Sequence, residues 1–109
     1  MTPFHSPISD QSGTAGDLTW RLSGGALTIS GTGAMPYYNG FDDPPTPWHF
    51  YRNSITAVVI EEGVTSIGSY AFISCYNLTS ATIPRSVTRI GEFVFSNCRN
   101  LTDVTVEWA

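Results

Sequence analysis

The sequence contains no lysine. Its cations are five scattered arginines, Arg21, Arg52, Arg85, Arg89 and Arg99, in a chain of net charge -4. Binding a phosphate backbone takes clustered cations, so no nucleic-acid partner is expected. The missing lysine also removes Schiff-base chemistry and the lysine of a phosphate-cradling loop. Charged residues of both signs make up 13% of the chain, about half the usual roughly 25%. No apolar run approaches the roughly 18 residues that a membrane-crossing helix needs, so no membrane span is expected. The N-terminus, Met1-Thr-Pro-Phe-His-Ser-Pro7, has no basic stretch leading into an apolar one, and no signal peptide is legible. No Ser-His-Asp order, phosphate-cradling glycine loop or cofactor motif occurs. Neither catalytic residues nor a cofactor are therefore expected.

Hydroxyls take the place of charge: the chain holds 13 Thr and 12 Ser, with 41% hydrophobic residues. At 109 residues it is one domain with a modest core. The decisive feature is a repeat. Ile60 to Thr82 aligns with Ile83 to Thr105, and the identities are Ile60/Ile83, Val64/Val87, Thr65/Thr88, Ile67/Ile90, Gly68/Gly91, Phe72/Phe95, Cys75/Cys98, Asn77/Asn100, Leu78/Leu101, Thr79/Thr102 and Thr82/Thr105. Apolar and turn positions match, while Glu62/Arg85, Ser69/Glu92 and Tyr76/Arg99 differ, as positions facing water can. Stacked units sharing one core would produce this pattern.

Three rungs of the form L-x-x-V-x-I follow: Ile55/Val58/Ile60, Leu78/Ala81/Ile83 and Leu101/Val104/Val106. Alternation at the end of each predicts a short strand with one buried face. Stacked about 4.8 Å apart, the rungs would form a parallel sheet. Its outward ladders are expected to be Thr56/Thr79/Thr102, Ala57/Ser80/Asp103 and Val59/Thr82/Thr105. The expected core is Ile60, Ile67, Phe72, Cys75, Leu78, Ile83, Ile90, Phe95, Cys98, Leu101, Val104 and Val106. On the return side, Tyr70 to Cys75 suits one short helical turn. Upstream, Leu18–Leu22 and Ala26–Ser30 alternate on either side of Ser-Gly-Gly, which predicts a β-hairpin covering the first coil.

The units Val64-Thr-Ser-Ile-Gly-x-Tyr-Ala-Phe-x-x-Cys-x-Asn-Leu-Thr-Ser-x-Thr-Ile-Pro84 and Val87-Thr-Arg-Ile-Gly-x-Phe-Val-Phe-x-Asn-Cys-x-Asn-Leu-Thr-x-Val-Thr-Val106 resemble the BspA-like leucine-rich repeats of bacterial surface proteins. The front of the chain, with Leu27-Thr-Ile-Ser-Gly-Thr-Gly-Ala-Met-Pro36 and Pro47-Trp48, is similar to the module that often precedes such repeats. Ala15 stands where relatives often carry cysteine, so a disulfide anchored there would be absent. The resemblance implies an α/β, strand-rich leucine-rich-repeat solenoid of 23-residue coils, with a parallel sheet on one face and an N-terminal hairpin cap. Residues 1–12 are expected as a flexible tail, 13–54 as hairpin and aromatic-rich capping loop, and 55–109 as repeat coils. It further implies an extracellular or cell-surface location and adhesion to protein partners.

The segment Met35 to Tyr51 holds Tyr37, Tyr38, Phe41, Trp48, Phe50 and Tyr51, with Asp42, Asp43 and His49. One reading is a carbohydrate platform, on a binding or spacer module of a larger extracellular protein, with Tyr37, Tyr38 and Phe41 as ligand contacts. The other is a plug for the first coil, favoured because Trp48 and Tyr51 adjoin the first rung. Asp42, Asp43 and His49 match no metal spacing, and no metal site is expected. For a protein partner, the candidate contacts are Thr79, Ser80, Thr82, Thr102, Asp103 and Thr105. Cys75 and Cys98 stack one repeat apart and read as small core hydrophobes; neither histidine lies in the repeats to serve a catalytic thiol. Asn77-Leu-Thr79 and Asn100-Leu-Thr102 are formal glycosylation sequons, but their shared repeat position points to Asn side chains satisfying backbone groups. The sequence stops at Trp108-Ala109 with no polar capping segment. The expectation is a piece of a longer protein, or self-association through the open C-terminal edge.

Overall fold

The computed structural model describes residues 10–36 and 46–107. Alternating burial builds an antiparallel meander first: β1 (Gln11–Ala15), β2 (Leu18–Ser23) and β3 (Ala26–Gly31). Leu18, Trp20 and Leu22 of β2 and Leu27 and Ile29 of β3 face the core. Gly24 and Gly25 form the β2–β3 turn with φ of 58° and 86°, in the left-handed region that glycine enters at least cost. β1 begins at Gln11, inside the stretch read as tail. Tyr51 holds it there, its hydroxyl donating to Gln11 Oε1 at 3.1 Å. Gly13 completes the fit, because a Cβ at that position would lie 2.8 Å from Trp20 Nε1.

After the two-residue β4 (Gly33–Ala34), a 3-10 turn over His49–Ser54 leads into β5 (Ala57–Ile60). There the sheet changes direction of pairing: β3 and β5 run parallel, with Leu27 beside Val58 and Ile29 beside Ile60. The rest of the chain alternates between two sheets. β6 (Val64–Ile67) and β8 (Arg89–Ile90) join β4 in a three-stranded sheet of order β4-β6-β8. β7 (Ser80–Ile83) and β9 (Asp103–Val106) complete a six-stranded sheet of order β1-β2-β3-β5-β7-β9. In it Ala57 pairs with Ser80 and Ser80 with Asp103. Both sheets send apolar side chains into one cluster, in which Ile29, Ile55, Val58, Val64, Ile67, Phe72, Leu78 and Ile83 are fully buried. Each such side chain contributes roughly 1.5–3 kcal/mol.

The expected helical turn at Tyr70 to Cys75 does not form, and the described residues contain no α-helix. Tyr70, Ser74, Phe93 and Asn97 take positive φ, between 58° and 64°, which a right-handed helix forbids. The backbone hydrogen bonds explain why that conformation holds. Alternate amides of 71, 73 and 75 close tight turns onto carbonyls three residues back. Those between them reach sideways: Tyr70 N donates to Glu92 O, Phe72 N to Val94 O and Ser74 N to Ser96 O, at 2.8–3.0 Å. The segment thus stacks on its repeat as a ladder rather than satisfying itself as a helix would. Close stacking also explains the Ile-Gly pair: a Cβ on Gly91 would meet Ser69 N at 2.4 Å.

The expected core needs one correction. Ile60, Ile67, Phe72, Cys75, Leu78 and Ile83 are buried, and Phe95, Cys98 and Leu101 are half-buried against the cluster. Ile90, Val104 and Val106 are exposed. They belong to the second repeat, over which no described residue stacks.

Candidate interaction face

The outward positions of the long sheet lie on one continuous surface. Ser80 and Thr82 alternate with buried Ala81 and Ile83 along β7, and Asp103 and Thr105 occupy the paired positions of β9. The registers carry the rows onward: Thr105, Thr82, Val59, Thr28 and Arg21 form one, and Asp103, Ser80, Ala57, Ala26 and Ser23 another. Side chains at the middle of this face are small and uncharged, while Arg21 stands toward one end and Asp103 toward the other. A groove of about 470 Å³ lies over the meander, lined by Thr19, Arg21, Ser23, Ala26, Thr28, Ser30 and Glu61. These residues were absent from the sequence-based candidates. Alternation in 18–30 marked all of them but Glu61 as outward, but nothing local tells which other strands share their surface. Arg21 approaches Asp10 at 3.8 Å, an exposed pair that water and salt screen.

The threonines at the rung entries have a different duty. Thr56 Oγ1 donates to Gly25 O at 3.2 Å, Thr79 Oγ1 to Thr56 O at 3.1 Å, and Thr102 Oγ1 to Thr79 O at 3.4 Å. These hydroxyls tie each rung to the one before, so Thr79 and Thr102 offer a partner acceptor oxygens rather than free donors. The asparagines act alike. Asn77 Nδ2 donates to Asn53 O at 2.7 Å and Asn100 Nδ2 to Tyr76 O at 2.8 Å, which accounts for their recurrence without any sugar attachment.

Of the aromatic segment, Tyr37, Tyr38 and Phe41, with Asp42 and Asp43, lie outside the described residues. Trp48 is buried, donates Nε1–H to Ala71 O at 2.9 Å, and stacks on Phe72 with ring centroids 5.8 Å apart. Trp20 meets Trp48 edge-on at 6.0 Å, and Phe72 stacks on Phe95 at 5.8 Å. An aromatic column therefore runs from the meander into both repeats. Phe50, by contrast, is 86% exposed. Burial, and then the neighbouring Arg52 charge, hold the His49 imidazole below its usual pKa. The described residues include no group of three or more His, Cys, Asp or Glu able to hold a metal ion. Nor do they include a helix long and apolar enough to cross a membrane.

Comparison with known proteins follows the repeats. The family model for the BspA type Leucine rich repeat region (6 copies) matches residues 47–108, more than half of the chain. The chain belongs to this family. A leucine-rich repeat protein of Eubacterium ventriosum, solved by crystallography, is similar to this BspA-type module at 36% identity and a TM-score of 0.79. That match covers 91% of this chain and 26% of the other. A leucine rich cell surface protein of Faecalibacterium prausnitzii is 27% identical, with a TM-score of 0.49 over 93% of this chain and 33% of its own. The BspA-type module thus spans about a quarter to a third of the length of these solved chains. No curated protein matches it.

Proposed function

We propose that this chain is a non-catalytic binding module of a secreted or cell-surface protein, with coils of 23 residues capped by the N-terminal meander. It presents the outer face of its long sheet to a protein partner, in an adhesion-type role. The observation that carries this reading is the continuity of that face across six strands, from Ser12 and Arg21 to Asp103 and Thr105. Small outward side chains on a rigid sheet let another protein approach the whole width without displacing anything, and the rigidity limits the entropy lost on binding. As a cap, the meander supplies β3 as a ready-made first rung, so β5 has a neighbour and the core beneath it is covered.

The carbohydrate alternative is weaker on the aromatics that are described. Within the described part of the 35–51 segment, Trp48 is committed to the core and Tyr51 to β1, and Phe50 is the ring left exposed there.

The test is surface-plasmon binding to immobilised extracellular-matrix proteins, run beside a glycan array. Thr82→Arg and Thr105→Arg should each weaken protein binding at least about tenfold, while Thr65→Arg on the small sheet leaves it unchanged. Binding that ignores all three substitutions, or that appears on glycans alone, would sink the proposal.

A further inference from the structure

Cys75 and Cys98 occupy the same repeat position, and both are free thiols. Cys75 is buried, whereas Cys98 is only half-buried. They converge on one carbonyl: the Cys75 amide donates to Phe72 O at 3.3 Å, and the Cys98 thiol donates to the same oxygen at 3.1 Å. The stacking that brings them together is also seen at Phe72 N, which donates to Val94 O at 3.0 Å. Adjacent rungs about 4.8 Å apart suit the Cα separation of roughly 4.4–6.8 Å that a disulfide allows. A lone buried cysteine behaves as a small hydrophobe. Here a solvent-reachable sulfur sits over a buried one, and that is a different chemical arrangement.

We propose that Cys98 and Cys75 form a thiol–disulfide exchange site that reacts with low-molecular-weight disulfides and ends as a cross-link between adjacent repeats. In the first step the Cys98 thiolate bonds one sulfur of the small disulfide. The S–S bond of that molecule breaks, and the departing thiolate takes up the proton Cys98 has lost. In the second step Cys75 gives up its proton and attacks the Cys98 sulfur. The mixed disulfide breaks, and the second small thiolate leaves and takes that proton. Two protein thiols are oxidised to one disulfide, and one small disulfide is reduced to two thiols.

The order of attack follows from access and from ionisation. Cys98 is the sulfur that solvent reaches. A hydrogen bond with Cys75 lowers the Cys98 pKa, while that hydrogen bond and burial raise the Cys75 pKa. Cys98 is therefore the nucleophile and Cys75 the resolving thiol. The cross-link restrains the second repeat, whose Ile90, Val104 and Val106 are exposed.

The experiment incubates the purified native chain with oxidised glutathione at about pH 8, near the ordinary thiol pKa. Intact mass, peptide mapping and thermal unfolding are then compared with the dithiothreitol-treated protein. Expected are a mass lower by two hydrogens, a linked Cys75–Cys98 peptide, and a melting midpoint raised by on the order of 5 °C that dithiothreitol reverses. Cys75→Ala should stop at a glutathione adduct on Cys98, and Cys98→Ser should leave Cys75 unmodified while the chain is folded. A stable adduct on Cys98 beside a free Cys75 in the unsubstituted chain would overturn the proposal. So would two unreacted thiols. Both readouts come from the unsubstituted protein and stand even if a variant fails to fold.

Discussion

Ile67 and Ile90 occupy the same repeat position and pair in the small sheet, yet Ile67 is 1% exposed and Ile90 38%. Ala81 and Val104 stand at 2% and 46%, and Ile83 and Val106 at 1% and 37%. Between the two repeats the residue types barely change. What changes is the neighbour: the first repeat is covered on both sides, by β3 and β5 before it and by the second repeat after it. Among the described residues, the second is covered on one side. Burial of a position in this fold is thus set by the layer stacked above it, and the same side chain contributes different energy in the two places.

Substituting equivalent residues measures that difference directly. The largest effect is expected at the aromatic column. Phe72→Ala should cost about 3–5 kcal/mol in urea unfolding, because the ring is sandwiched between Trp48 and Phe95. Phe95→Ala, with a ring stacked on one side and half-buried, should cost about half as much. Next come the rungs: Ile83→Ala should cost about 2–5 kcal/mol and Val106→Ala less than about 1 kcal/mol. Equal losses at these two positions would show that Val106 is covered in solution, and sedimentation would then reveal an associated species.

Asparagine substitution sharpens the comparison from the other side. Asn77 and Asn100 make matching hydrogen bonds, both exposed, so Asn77→Ala and Asn100→Ala should each cost about 0.5–1.5 kcal/mol and differ little. The smallest effect concerns pH. His49 has a folded pKa below its unfolded value near 6.5, so the unfolded chain binds the proton more readily. Its contribution to stability is present above about pH 6.5 and is lost as pH falls from there through the folded pKa. Melting midpoints measured on either side of that value should show a shallow fall that His49→Gln removes.

Local order was largely legible in the letters. Alternation in Leu18–Leu22 and Ala26–Ser30 marked the β2–β3 hairpin, and the repeat alignment marked the rungs, because a strand's buried face imposes a period of two. The turn segment was misread. Apolar residues at 67, 71, 72 and 75 have helical spacing, but their amides are drawn to the carbonyls of 92, 94 and 96. A periodicity argument cannot weigh that competition, since the competing acceptors lie a full repeat away. β1 was missed for a related reason: Gln11 looks like a tail residue, and Gly13 like no part of a strand, until Tyr51 and Trp20 are placed against them. The interaction face was only half legible. Ser80, Thr82, Asp103 and Thr105 follow from rung alternation, whereas Thr19, Arg21, Thr28 and Glu61 join them through the parallel β3–β5 pairing.

The sequence by itself determined the membership of the repeat, the positions that alternate and the residues able to stack, because these depend on spacing along the chain. The tertiary structure alone decided which stacked positions are buried, that hydrogen bonds in the turn segment run between repeats, and that meander and rungs share one face. Each of those outcomes depends on what lies about 4.8 Å away across the stack, and that neighbour is remote along the chain.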